Sequence, residues 1–298
     1  MTRDVKQDRK KKESAYKVLQ NMVGLREGKD IADDIIAFRH MEMLARDRGH
    51  VLERGNYHMV LAGSPGTAKT AYARLIADIF YEIGITSKPG CVEVSRADLV
   101  GKYVGHTEEK TTDVIKSAYG KVLFIDEAYA LADGDEAGAY GNEAITVLIR
   151  EMENNRNDLV VIVAGYKDRM EAFLASNPGL RSRFGYFVDF PDYNVNELIQ
   201  ITHLLATDKG FIIDNTADKK LEKIYSAQMH EPDFGNGRFC RNVVDLAIHK
   251  HAKKILLLGD TNEVSNDYLF SLSASDIVMP KSLEKAEKRV IGFQSTSK

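Results

Sequence analysis

Cysteine is scarce, long apolar runs are missing, and charge is close to balanced, and each absence removes a class of protein. Cys91 and Cys240 are too few and too far apart for a disulfide framework or a zinc site. A reducing cytoplasm is therefore the expected location. No apolar run approaches the roughly 20 residues of a membrane span, so no membrane partner is expected. Residues 1–13 are dense in charge, with Lys10-Lys11-Lys12, and lack the apolar core of a secretory signal. A disordered basic arm is expected over residues 1–15. The net charge of −3 gives no general electrostatic pull toward nucleic acid, although a local basic patch stays open.

What remains is ordinary globular material. The chain has 298 residues and 44% hydrophobic content, room for one large domain and a smaller one. From Tyr16 to Pro191, short apolar strands alternate with longer amphipathic helices, the mark of a parallel sheet covered on both faces. The expected strands are His58–Ala62, Cys91–Val94, Val122–Ile125, Leu159–Ala164 and Phe187–Phe190. After Pro191 the segments Asn196–Thr207, Ala217–Met229 and Arg238–Leu258 read as helices, with no convincing strand among them. Asn194 and Asp214 stand where helix starts are expected. The plan is thus an α/β domain over 16–191, a small helical domain over 192–280, and a tail over 281–298.

The strand His58–Ala62 runs into Gly63-Ser64-Pro65-Gly66-Thr67-Ala68-Lys69-Thr70, and a helix follows. This is the phosphate-binding pattern G-x-x-x-x-G-K-[ST] with Ala68 in place of its second glycine. A glycine-rich turn at a helix start offers free backbone N–H groups and a positive dipole end to a polyphosphate. Lys69 is expected on the terminal phosphates and Thr70 on Mg²⁺. Because position 68 leads straight into the helix, a right-handed helical φ that alanine accepts is expected there. About sixty residues on, the apolar run Val122–Ile125 ends in Asp126-Glu127. Asp126 would orient the hydrated Mg²⁺ and Glu127 would polarise the attacking water. Together the two motifs indicate an ATP site.

Three further segments add to this. Lys102, Tyr103 and Val104 lie between Gly101 and Gly105, as an exposed loop tip or a surface turn with a half-buried tyrosine. Arg181 and Arg183 precede the last strand, projecting toward a neighbouring subunit's γ-phosphate or forming structural salt bridges. Arg238 sits in the first turn of a helix opened by glycines, folded back on the nucleotide or simply exposed.

The blocks DLVGKYVGHTEEKT, VLFIDEAYAL, MENNRNDLVVIVAGY, NPGLRSRF and GNGRFCRN, in that order, resemble the AAA+ ATPases. Within them the chain is most similar to the CbbX/CfxQ family, which includes the sporulation protein SpoVK. The resemblance runs from Val23-Gly24-Leu25 to about Ile277. It implies a P-loop αβα sandwich followed by a helical lid, and a ring, usually a hexamer, that binds ATP and Mg²⁺ between subunits. It implies that Lys69, Thr70, Asp126 and Glu127 form the hydrolytic site. Arg183 becomes the arginine finger beside Arg181, Arg238 a sensor of the γ-phosphate, and Val23-Gly24-Leu25 the adenine contact. Tyr103 becomes the pore aromatic that grips a protein substrate, red-type Rubisco among the options. Gly165-Tyr166 departs from the Thr-Asn that many members carry at the end of that strand. Two alternatives stay open: a nucleic-acid motor, since replicative helicases also carry Ala in the loop, and a nucleotide-gated scaffold with little turnover.

Overall fold

The structure is a computed structural model and describes residues 14–101, 103, 105–132, 137–232, 234–258 and 264–280. The chain divides between Tyr193 and Asn194 into two compact units. The first opens with helices α1 (Ala15–Asn21) and α2 (Arg26–Asp47). It continues through β1 (Met59–Gly63), α3 (Lys69–Glu82), β2 (Cys91–Val94), α4 (Arg96–Leu99), α5 (His106–Ser117) and β3 (Val122–Ile125). Then come α6 (Ala137–Asn154), β4 (Val160–Gly165), α7 (Lys167–Ala175), α8 (Pro178–Arg181) and β5 (Tyr186–Phe190).

All five strands are parallel, in the order β2-β3-β4-β1-β5. The α/β class expected from the alternating pattern is the one observed. Side chains alternate across the sheet and feed two cores. Leu123, Ile125, Val161 and Val163 pack with Ile115 of α5, Leu148 of α6 and Phe173 of α7. Val122, Phe124, Val160 and Ile162 pack on the other face with Ile35 of α2 and Ile76 and Phe80 of α3. A strand buried on both faces needs no polar positions, so β3 and β4 appear in the sequence as unbroken apolar runs.

Of the residues expected in a disordered arm, Ala15 begins α1 and is buried, with its N–H donating to Glu82 Oε1 at 3.2 Å. Residues 1–13 and the tail over 281–298 lie outside the described residues.

The second unit holds α9 (Val195–Asp208), α10 (Asp218–Gln228), α11 (Gly237–Leu257) and α12 (Asn266–Leu269). Asn194 starts α9 with a reciprocal box: its Oδ1 accepts from Glu197 N at 3.0 Å, and Glu197 Oε2 accepts from Asn194 N at 2.9 Å. Asp214 caps a short 3-10 turn at Asn215–Ala217 ahead of α10. The helical reading needs one correction. β6 (Ile212–Ile213) and β7 (Ser271–Leu272) form a parallel two-residue pair. Two residues carry no periodicity, and their partner is distant in sequence, so nothing local announces them. No described helix is long and apolar enough to cross a membrane.

Candidate functional site

β1 delivers the chain to Gly63 at the carboxyl edge of the sheet, and Ser64 to Ala68 turn back into α3, which Lys69 opens. Polar groups of the loop hold its curve. Thr67 Oγ1 donates to Ser64 O at 2.8 Å, while Lys69 Nζ donates to Gly63 O at 2.8 Å and Ser64 O at 2.6 Å. Gly63 is set by space: a Cβ there would lie 2.2 Å from the Phe190 carbonyl oxygen of β5. The buried Tyr193 hydroxyl donates to Thr67 O at 3.4 Å. Pro65 and Gly66 form the turn, and Thr70 follows Lys69 in the first turn of α3.

Ala68 does not take the helical φ expected for it. Its φ is +70° and its ψ 19°, the left-handed region, and its carbonyl accepts from Tyr72 N at 2.9 Å. The loop must reverse direction in a few residues, with Gly66 also at φ +75°. That reversal, and not propensity for the following helix, decides the hand of the backbone at Ala68. A methyl-bearing residue held there costs about 1–2 kcal/mol.

The acidic pair leaves the sheet beside this loop. Ile125 of β3 faces Val163 of β4, and Ala62 of β1 faces Gly165 of β4. Gly63, Asp126 and Tyr166 therefore leave three neighbouring strands on one edge. Asp126 N donates to Val94 O at 3.0 Å, and Asp126 Oδ1 accepts from Glu127 N at 3.0 Å. Glu127 is exposed and left-handed, with φ +50°. Non-glycine residues persist in that region only where their surroundings hold them, and such residues cluster at functional sites. Backbone N–H groups, an ammonium, a hydroxyl and two carboxylates thus share one edge, the donor set for a polyphosphate and its cation.

Val23, Gly24 and Leu25 precede α2, with Gly24 and Leu25 both left-handed. The tie between α2 and α3 brings this turn to the loop's own helix: the Tyr72 hydroxyl donates to Gly28 O at 2.8 Å. Burial pushes the Tyr72 phenol above its ordinary range, so it stays a donor. Glu27, which no sequence motif singles out, accepts the Asp189 N–H of β5 at 3.0 Å.

Other expected site residues are not brought to this edge. Arg181 and Arg183 come just before β5, where Gly185 N donates to His58 O at 3.0 Å ahead of β1. Their backbone stands at the amino edge, a five-residue strand away, about 16 Å at 3.3 Å per residue, although the Arg181 side chain lines a pocket with Ala62, Lys167 and Asp189. Arg183 Nη1 pairs with Glu153 Oε2 at 2.9 Å, and Arg181 lies 5.0 Å from the Phe187 ring centroid. Arg183 also lines a cavity of about 240 Å³ with Arg54 and Arg156. His58, at the same edge, accepts the Val161 N–H at 2.9 Å through Nδ1, and burial lowers its pKa to about 4.

Tyr103 is 68% exposed, its ring 5.6 Å from that of His106 at the start of α5. Lys102 and Val104 lie outside the described residues. Arg238 belongs to the second unit, in the first turn of α11, with its N–H donating to Gly235 O at 2.9 Å. Sequence reasoning passed over Tyr129, two residues after Glu127, and Arg169, whose Cζ lies 4.9 Å from the Tyr129 ring centroid. No motif marks them because ring contacts between a 3-10 turn and α7 leave no local pattern.

Comparison with known proteins agrees with this geometry. Residues 59–192 match the model of the ATPase family associated with various cellular activities (AAA), and residues 194–288 match that of an AAA lid domain. The chain is 41% identical over 268 residues to the chromosomal protein CbxX of Cupriavidus necator, covering 90% of this chain and 84% of that protein. It is 40% identical over 259 residues to the chloroplastic ribulose bisphosphate carboxylase/oxygenase activase of Cyanidioschyzon merolae, covering 87% and 88%. Stage V sporulation protein K of Bacillus subtilis is 40% identical over 247 residues, covering 82% and 76%. A crystal structure of the FIGL-1 AAA domain in complex with ADP shares the fold. Its TM-score is 0.59 at 19% identity, and the match covers 86% of this chain and 80% of that one.

Proposed function

This chain belongs to the AAA family of ATPases, in the group of CbxX, CfxQ and SpoVK, and on that premise we propose a hexameric ring that threads a protein substrate. The separation of Arg183 from its own P-loop carries the reading. An arginine a full strand length from Lys69 cannot serve the nucleotide beside Lys69, but it can serve one held by a neighbouring copy. Arg54 and Arg156 line the same cavity, along with Glu53 and Glu153, which pair with Arg156 and Arg183. Arginine fits this position because it is always charged and its planar fork matches phosphate oxygens.

In each subunit the P-loop from Gly63 to Thr70 holds the phosphates and Lys69 neutralises them. Thr70 and Asp126 would hold Mg²⁺, which would supply charge neutralisation for the phosphates. Among the described residues no cluster of three His, Cys, Asp or Glu side chains is arranged for a metal. A single carboxylate with phosphate oxygens is the usual manner for this ion. Glu127 polarises the water, and Arg183, with Arg181 beside it, completes the next subunit's site. Val23-Gly24-Leu25 takes the adenine, and Arg238 reports on the γ-phosphate from the lid. Tyr103, between Gly101 and Gly105, is the grip on the threaded chain, flanked by Lys102 and Val104. The substrate is unassigned, with ribulose bisphosphate carboxylase/oxygenase the target that the activase relative's name suggests, and two free thiols fit a reducing cytoplasm.

Complementation between two inactive variants tests the ring. Lys69→Ala and Arg183→Ala are each expected to lose ATP hydrolysis. An equal mixture regains it at about a quarter of the interfaces, where an intact loop meets an intact arginine. If the two variants co-assemble and the mixture stays inactive, Arg183 does not act across subunits.

A further inference from the structure

Beyond the P-loop and the acidic pair, the catalytic edge carries one more cation. Gly165, at the end of β4, leaves room for an aromatic ring: a Cβ there would lie 2.7 Å from Tyr129 Cδ1 and 2.7 Å from Met170 Sδ. Tyr129 fills that room, 5% exposed, in the 3-10 turn Ala128–Leu131 that directly follows Glu127. Its ring centroid is 5.8 Å from that of Tyr166. Arg169, in the first turn of α7, caps both rings, its Cζ 4.9 Å from the Tyr129 centroid and 5.9 Å from that of Tyr166. Among the described residues Arg169 makes no ion pair, although Asp168 and Glu171 neighbour it in sequence. Burial raises the Tyr129 phenol, the Glu127 carboxylate raises it further, and Arg169 acts in the opposite direction. Glu127 and Arg169 therefore both lie close enough to Tyr129 to be felt by one hydroxyl.

We propose that Arg169 is a positioning residue of the ATPase site, clamping Tyr129 so that the turn presents Glu127. The left-handed backbone of Glu127 must be held by its neighbours. Tyr129 is the nearest buried anchor along the chain after it, wedged on Gly165 and closed by a planar cation that stacks on aromatic faces. This assignment also gives the strand end Gly165-Tyr166 a use that a polar side chain at 165 would prevent, because any Cβ there displaces Tyr129. The inference rests on Glu127 being the water-polarising group.

Steady-state ATP hydrolysis by the full chain tests it with Arg169→Ala, Arg169→Lys and Glu127→Gln. Arg169→Ala is expected to lower kcat about tenfold with KM within about twofold, the pattern of a lost transition-state contribution. Arg169→Lys keeps the charge but not the planar stack, so it restores only part of kcat. A kcat for Arg169→Ala within about twofold of wild type, a loss confined to KM, or full rescue by Arg169→Lys overturns the proposal. Glu127→Gln separates the two layers. If that variant turns over normally, the reading of Glu127 fails; if it is inactive while Arg169→Ala is normal, only the role of Arg169 fails.

Discussion

Replacing Ala68 with glycine tests whether the loop is strained where the structure places it. At φ +70° the alanine methyl crowds its own backbone, a cost of about 1–2 kcal/mol for an L-residue. Glycine removes that cost but brings a freer unfolded chain, which takes back about 0.4–1 kcal/mol. The net expectation is a gain of about 1 kcal/mol, seen as a rise of roughly 2–4 °C in the unfolding midpoint of a unit this size. Nucleotide affinity is expected to stay within about threefold, because the N–H groups of the loop keep their directions. Gly66→Ala serves as the converse, placing a methyl at φ +75° and lowering the midpoint. Thermal and urea unfolding of the three proteins, with and without ATP, read both effects. A midpoint for Ala68→Gly equal to or below wild type, with Gly66→Ala harmless, would refute the strained loop.

His58 gives a pH dependence with a definite sign. It folds neutral with its pKa pulled from 6.5 to about 4. Between those values the unfolded chain holds the extra proton. Stability is therefore complete above pH 6.5 and falls as the pH drops through that window, by roughly 3 kcal/mol in all. Urea midpoints across the range check this, with His58→Gln expected to flatten the profile; a wild-type profile already flat would count against it. Tyr103→Ala is expected to leave basal ATP hydrolysis within about twofold and abolish its stimulation by an unstructured polypeptide. Equal loss of both activities would remove Tyr103 from the pore role.

The strands and the phosphate loop are legible in the chain itself because their causes are local. A doubly buried strand has to be apolar throughout, so Val122–Ile125 and the run over 159–164 declare themselves. Gly63 to Thr70 and Asp126-Glu127 are legible because the chemistry needs those residue types side by side in sequence. Other features depend on who meets whom across the fold. The hand of the backbone at Ala68 follows from how tightly the loop must return to α3. The pairing of Ile212–Ile213 with Ser271–Leu272 joins pieces too short to carry a pattern. Whether Arg183 stands at the edge of its own nucleotide or the opposite one is a matter of parallel register, since β1 and β5 run the same way and place their starts together. Arg169 is an ordinary surface cation in the sequence, and only tertiary packing puts it over Tyr129, in the turn that follows Glu127. Residue order thus decided which chemistry the chain carries, because bonding requirements within a few residues are written consecutively. Tertiary structure alone decided which edge each charge occupies, because that depends on contacts between segments that sequence neighbours do not determine.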